Sequence, residues 1–123
     1  MEYILSTEKP HQKFFEEISR IPRKSFYEQA VSDYVAAFAE ERGLWYYQDS
    51  IGNVIIKKPG ARTFEKSEPV MLQAHLDMVC EKEIGSSFDF LTEPISLTVE
   101  DGWLKAGDTT LGADDGAGVA LML

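Results

Sequence analysis

An apolar run over residues 69–74, ending abruptly at the polar side chains of His75 and Asp77, most constrains the fold of this chain. Four to eight apolar residues followed by polar ones are typical of a buried strand in a parallel sheet, although periodicity alone leaves a helix open. Ligands of such sheets bind outside the carboxyl ends of the strands. Because His75 and Asp77 are two positions apart, their side chains should leave a strand on the same side. Both could then ligate a metal, or one could ligate while the other orients it.

A second motif follows some forty residues later, where Asp114 and Asp115 lie between glycines just before the apolar run 119–123. This pattern predicts a loop entering a helix, where free backbone N–H groups favour carboxylates and other anions. Taken alone, the pair could also be a helix cap, a calcium loop or a turn. The alternating acids and closing glutamate of an EF-hand are absent, which disfavours calcium. Adjacent carboxylates would repel a phosphate, which disfavours a nucleotide cradle.

The remaining local patterns predict two helices and two hairpins. Apolar residues at helical spacing predict a helix over 10–21, and Ser25 and Glu28 have the spacing of a capping box for a second helix. β-rich runs on either side of short turns predict hairpins over 44–57 and 95–106. Helices that precede mixed strands, with a further helix beginning at the end, predict an α/β fold with a three-layer sheet.

Composition excludes some classes of function. Twelve Lys and Arg against twenty-one Asp and Glu give a net charge of −9, which argues against a nucleic-acid partner. No apolar run in the sequence approaches the ~20 residues that span a bilayer. Cys80 is the single cysteine, which predicts a packed thiol in a reducing, cytoplasmic setting. His11, among polar residues, is expected to be a solvated surface group.

At 123 residues the chain has about the length of one domain, but it stops about two turns into its last predicted helix without a stop signal. The alternative to truncation is a natural short tail. We expect instead that residues 1–123 are the N-terminal portion of a longer catalytic domain.

The two motifs together resemble those of a known enzyme family. The chain is similar to the N-terminal part of aminoacyl-histidine dipeptidases. The similarity lies in residues 73–80 (QAHLDMVC) and 109–118 (TTLGADDGAG), in the IPRKS segment 21–25 and in residues 49–54. These Xaa-His dipeptidases, or peptidases D, fall in the aminoacylase and carboxypeptidase G group of cocatalytic zinc peptidases. The resemblance runs along nearly the whole chain, and it is the pairing of the two motifs that is specific for the group.

The resemblance implies a three-layer α/β/α catalytic domain with a mixed sheet and a zinc pair, or other divalent metals, bridged by a carboxylate and a water. By position, His75 would bind one metal and Asp114 would bridge both. Asp77 would be the catalytic residue beside them, hydrogen-bonded to His75 and fixing its tautomer. The metal-bound water would attack the peptide carbonyl of a small peptide. Asp115 stands where relatives often carry asparagine.

The family's Glu-Glu pair, a further aspartate and a late histidine have no counterpart within these 123 residues, so this portion alone should bind zinc weakly and be nearly inert. The resemblance also implies a homodimer, formed largely through a later lid domain, and a cis peptide bond after Asp114 in the complete, metal-loaded protein. In an isolated portion we expect a looser or trans bond. Two alternatives stay open: a tripeptidase or N-acyl-amino-acid amidohydrolase with the same site, and a non-catalytic metal-binding protein.

Overall fold

The core of the chain is formed by helices, in a computed structural model whose described residues are 2–123. Over these residues the helices are α1 (Pro10–Ser19), α2 (Gln29–Glu41) and α3 (Ala113–Met122). α1 packs against α3. The buried apolar cluster takes side chains from all of them: Phe14, Phe15, Ile18, Val31, Val35, Val119 and Ala120. The last predicted helix therefore forms and belongs to the core.

The first two helices follow directly from the local sequence. Pro10 occupies the first turn of α1, where its missing N–H costs no hydrogen bond. Phe14, Phe15 and Ile18 recur at helical spacing and are all buried, as predicted. α2 buries Val31 and Val35 on one face. Both helices are confirmed.

Both predicted hairpins are also confirmed. Strands β1 (Trp45–Gln48) and β2 (Val54–Lys57) pair antiparallel, as do β3 (Leu97–Glu100) and β4 (Trp103–Ala106). The β1–β2 hairpin packs against α2. A short 3-10 turn, Arg62–Phe64, lies in the long connection that follows β2. Helices and strands together confirm the α/β content of the fold.

The predicted strand over residues 69–74 is not formed, and this prediction is wrong for the chain as described. These residues lie outside every helix and strand, and Val70, Met71 and Leu72 are 85%, 88% and 67% exposed. A strand exists only where neighbouring backbone accepts and donates hydrogen bonds. Within residues 2–123 the sheets are the two-stranded hairpins above, and neither pairs with this segment. An apolar sequence suited to a central strand is therefore left unpaired here.

Along the described part of the chain, no helix is long and apolar enough to cross a membrane.

Candidate metal centre

Pairing between two loops brings the two sequence motifs together. The backbone N–H of Glu83 donates to Asp108 O (2.8 Å), and that of Thr110 donates to Glu81 O (2.9 Å). An antiparallel bridge joins Lys82 and Thr109 between these two bonds. The loop after Asp77 therefore runs alongside the loop before Asp114. As a result, side chains 39 positions apart in sequence meet at one place.

His75 lies between the two predicted partner carboxylates. Its Nδ1 is 3.0 Å from Asp77 Oδ1 and 3.1 Å from Asp77 O, and its Nε2 is 2.9 Å from Asp114 Oδ1. Asp77 is thus hydrogen-bonded to His75 through one ring nitrogen, and the other ring nitrogen faces Asp114. The structure brings together all three residues that the sequence singled out.

The ring nitrogens of His75 both face oxygen acceptors. A neutral imidazole carries one N–H and can satisfy one of them, whereas a protonated ring donates to both. Partial burial lowers the pKa of His75, but the hydrogen bonds to Asp114 and Asp77 outweigh it and raise the pKa above the ordinary 6.5. With Nδ1–H donating to Asp77, the lone pair of Nε2 and the Oδ1 of Asp114 point at each other. Two acceptors that face each other repel unless a proton or a metal cation lies between them.

Asp77 is itself held by Ser25. The Ser25 hydroxyl donates to Asp77 Oδ2 over 2.5 Å, leaving Oδ1 for His75. This bond is the main cause of a lowered pKa at Asp77, and His75 lowers it further. The carboxylate is therefore kept ionised and fixed in orientation, as an orienting partner of a ligand histidine requires.

The predicted capping box of α2 is therefore wrong. Ser25 gives its hydroxyl to Asp77, and the Glu28 carboxylate accepts the N–H of Phe26 (2.7 Å) while Glu28 itself precedes the first residue of α2. A hydrogen bond to an ionised carboxylate is roughly twice as strong as one to a neutral group, and this favours the distant partner over the local cap. Sequence reasoning missed this role of Ser25, and the spacing within its own segment gave no signal for it.

The backbone around the aspartate pair is irregular. The Asp114–Asp115 peptide bond is cis, and neither residue has helical dihedral angles. We predicted a cis bond for the complete protein and a looser or trans bond for this portion alone; the second expectation is wrong. Regular helix begins at Gly116, and Asp115 Oδ1 accepts the N–H of Gly118 (3.2 Å). Asp115 thus acts as the N-terminal cap of this helix. The side chain of Asp114 is 96% exposed and does not cap the helix.

Cys80 is a packed thiol, as predicted. Its sulfur lies 3.4 Å from Met78 O, and burial raises its pKa despite the nearby cations of Lys24 and Arg23. A reactive cysteine needs the opposite shift, because the thiolate is the nucleophile.

The donor set fits a borderline cation such as zinc, which binds imidazole nitrogen and carboxylate oxygen. His75 Nε2 and the Asp114 carboxylate converge, and Asp77 fixes the remaining ring nitrogen. Over residues 2–123, no group of three or more His, Cys, Asp or Glu side chains is arranged to hold a metal. Within this part of the chain, His75 and Asp114 are the candidate ligands, because their donor atoms face one another.

Comparison with known proteins bears on the resemblance. No family model matches the chain. It is 40% identical over 114 residues to the cytosol non-specific dipeptidase of Escherichia coli (strain K12), across 93% of this chain and 24% of that protein. Its structure is similar to the crystal structure of aminoacylhistidine dipeptidase from Vibrio alginolyticus, with a TM-score of 0.87 and 41% identity. That similarity covers 95% of this chain and 24% of the other.

The chain thus spans about a quarter of the length of the relatives that it matches. In sequence and in fold it is similar to peptidases of the aminoacylhistidine and cytosol non-specific dipeptidase type, which confirms the resemblance that its two motifs carry.

Proposed function

We propose that this chain is the N-terminal portion of the catalytic domain of a metal-dependent dipeptidase. The complete protein would hydrolyse small peptides of the Xaa-His type and would hold two zinc ions in one site. His75 would bind one ion and Asp114 would bridge both. The further ligands and the general base would come from residues outside these 123. The two relatives, both dipeptidases, support the reaction class.

The contact between His75 Nε2 and Asp114 Oδ1, at 2.9 Å, is the observation on which the proposal rests. It joins the two sequence motifs, and it places an imidazole and a carboxylate, the two candidate ligands, side by side. When bound, a zinc pair would supply Lewis-acid polarisation of the peptide carbonyl and a lowered pKa for a bound water.

The chain's own residues have distinct roles in this proposal. Ser25 holds the Asp77 carboxylate, and Asp77 holds Nδ1 of His75, so the free lone pair of the ring is presented at Nε2. Asp115 caps the helix that follows, so the neighbouring Asp114 side chain is left free to ligate. Asp77 is therefore proposed to act on catalysis through the tautomer and orientation of His75.

We further propose that residues 69–74 become a strand of a mixed sheet in a three-layer α/β/α domain once the remainder of that domain is present. Their exposed apolar side chains support this, because such a surface is stable in water only when another element covers it. A homodimeric assembly and a cytoplasmic location complete the proposal. The single cysteine agrees with a reducing, cytoplasmic setting.

The test is expression of the full-length protein, with measurement of bound zinc and of hydrolysis across Xaa-His dipeptides, tripeptides and N-acyl amino acids. Two zinc ions per chain and preferential dipeptide hydrolysis are expected. His75→Ala and Asp114→Ala should abolish turnover, and Asp77→Asn should reduce it less completely. His11→Ala, at an exposed histidine, is the matched control and should keep the wild-type rate.

Wild-type rates for Asp114→Ala would contradict the bridging role. Zinc binding without hydrolysis of any of these substrates would favour a non-catalytic metal-binding protein, and preference for tripeptides or N-acyl amino acids would favour the sibling activities. The 123-residue portion alone should bind zinc weakly and show no hydrolysis above background. Two tight zinc sites in a calorimetric titration of that portion would contradict this.

A further inference from the structure

We propose that Arg23 is a positioning residue that sets the separation of the two ligand-bearing segments, those of His75 and Asp114. This inference rests on the proposed function, since it concerns how the ligands are held. No described hydrogen bond joins Arg23 to the side chain of His75 or Asp114. Arg23 binds instead the backbone beside each of them.

The guanidinium of Arg23 bridges the two segments. Its Nη1 donates to Leu76 O (3.0 Å) and Asp77 O (3.2 Å), immediately after His75. Its Nη2 donates to Gly112 O (2.6 Å), two residues before Asp114. These contacts join positions 53, 54 and 89 residues apart in sequence. A single rigid group is thus hydrogen-bonded to both backbones that carry the metal ligands.

The backbone of the same residue adds a further link. The N–H of Met78 donates to Arg23 O (3.0 Å), next to a parallel bridge between Lys24 and Met78. Two residues on, Ser25 donates to Asp77. The segment 23–25 therefore binds the loop that carries His75 through both main-chain and side-chain hydrogen bonds.

Burial of Arg23 argues against a role in packing alone. The residue is 2% exposed, and among the described residues no carboxylate lies within ion-pair distance of it. Removal from water lowers its pKa, and its Nε finds no hydrogen-bond partner within the described chain. A buried cation is costly unless its hydrogen bonds compensate, and an apolar side chain would fill the same space more cheaply. What an apolar side chain cannot supply is a planar fork that donates in several fixed directions.

Two glycines make room for this fork. A Cβ added at Gly112 would lie 2.5 Å from Nη2 of Arg23, and one at Gly116 would lie 2.7 Å from the same nitrogen. Gly112 also has a φ of +76°, which favours glycine. The loop and helix that flank Asp114 are therefore shaped around the guanidinium. A side chain at either position would push it off the carbonyl that it holds.

Lysine at position 23 would keep the charge but lose the fork, because an ammonium is a single point and cannot hold both segments in one geometry. The test compares Arg23→Lys with Arg20→Lys in the full-length protein. Arg20 is the matched control: it donates to Glu16 Oε1 and to Glu2 O, both 2.8 Å away, and holds the N-terminal segment to α1. Zinc affinity is measured by competition with a chromophoric chelator, alongside kcat, KM and the unfolding midpoint.

The expected result for Arg23→Lys is a loss of zinc affinity of roughly 10- to 100-fold, the size seen when outer partners of metal ligands are removed. kcat should fall while KM changes little, since the buried Arg23 offers no surface to a peptide. Arg20→Lys should bind zinc as the wild type does, even if its unfolding midpoint falls. Wild-type zinc affinity in folded Arg23→Lys, or an equal loss in both variants, would overturn the proposal.

If Arg23→Lys does not fold, Gly116→Ala decides the matter. Its new methyl displaces Nη2, while the arginine and its charge are retained. The same loss of zinc affinity is expected, and an unchanged affinity would overturn the positioning role.

A measurement on the metal-free protein separates this proposal from the proposed function. The imidazole ¹⁵N resonances of His75 report its hydrogen bonds to Asp77 and Asp114 without any metal. They should move in Arg23→Lys and stay in place in Arg20→Lys. If the wild type binds no zinc and hydrolyses no peptide, the proposed function fails, and these resonances still decide whether Arg23 positions the pair. Unchanged resonances in Arg23→Lys would overturn the role.

Discussion

The helical core and the segment that carries His75 are held by different forces. In the core, Ile18 is 1% exposed and Val31 is fully buried. In residues 69–78 the apolar side chains of Val70 and Met71 are largely in water, and the segment is fixed at its far end by the buried Met78 and by polar bonds from Arg23 and Ser25. Packing therefore provides the stability of the core, whereas a few directed hydrogen bonds provide the geometry of the site.

This difference has a consequence for mutations. Loss of a core side chain removes dispersion contacts and leaves a cavity, so the free energy of unfolding falls by kilocalories. Loss of a polar contact at the site should move His75 or Asp114 relative to the other, and we expect it to change the geometry of the site more than the stability. The predictions below test this separation, in order of decreasing effect on the free energy of unfolding.

The largest effect is expected in the core. Ile18→Ala should lower the free energy of unfolding by about 2–5 kcal/mol, because the side chain is buried among helices that cannot close the cavity. Ile51→Ala, at a residue 79% exposed, is the control and should change it by no more than about 0.5 kcal/mol. Denaturant unfolding of the full-length protein measures both. Equal losses would break the distinction between core and surface.

The second prediction concerns the exposed apolar segment. If residues outside this chain complete a sheet around 69–74, Leu72 is buried in the full-length protein. Leu72→Ala should then lower its free energy of unfolding by roughly 2 kcal/mol, the low end for a buried leucine. In the 123-residue portion, where Leu72 is 67% exposed, the same change should cost less than about 0.5 kcal/mol. Unfolding of the two proteins side by side provides the comparison. A small cost in both would contradict the proposed sheet.

The third prediction concerns the Ser25–Asp77 bond. Ser25→Ala should lower the free energy of unfolding by on the order of 1 kcal/mol at pH 7. The loss is small for a hydrogen bond to a charged group because Asp77 is one-third exposed and solvent screens the bond. The pKa of Asp77 lies below its ordinary 3.8 in the folded protein, so its contribution to stability is present above pH 3.8. That contribution is lost as pH falls through the folded pKa, and the cost of the substitution should fade with it.

Ser25→Thr is the matched variant, since it keeps a hydroxyl that can donate to Asp77. Urea unfolding as a function of pH and a ¹³C NMR titration of the Asp77 carboxyl report the two quantities. A pKa of Asp77 that stays unchanged in Ser25→Ala would show that this bond does not hold the carboxylate.

The smallest effect is expected from the protonation of His75 in the metal-free protein. Its pKa is raised above 6.5, so the stability that it contributes is fully present below pH 6.5 and is lost as pH rises through the folded pKa. His75→Gln should therefore lose more stability at pH 5.5 than at pH 8.5, relative to the wild type. His11→Gln, at the other histidine, controls for general effects of pH. A larger loss for His75→Gln at the alkaline end would contradict this sign.

The sequence by itself determined the helices and the hairpins, and it singled out the candidate site residues. Apolar spacing over α1 and the short turn between the β-rich runs of 95–106 are local, so neighbouring residues were enough to predict the elements. His75, Asp77 and Asp114 were identified because each lies in a compact motif.

Only the tertiary structure decided the partners of Ser25 and Arg23 and the state of residues 69–74. Ser25 has the spacing of a helix cap, but the acceptor of its hydroxyl lies 52 residues away. Arg23 lies in the IPRKS segment that carries part of the resemblance, but that segment does not predict its role, because the role is defined by carbonyls that the fold brings to it from two distant segments. The apolar run at 69–74 encodes a strand by composition, yet a strand needs neighbouring backbone to pair with, and no described residue of this chain supplies it.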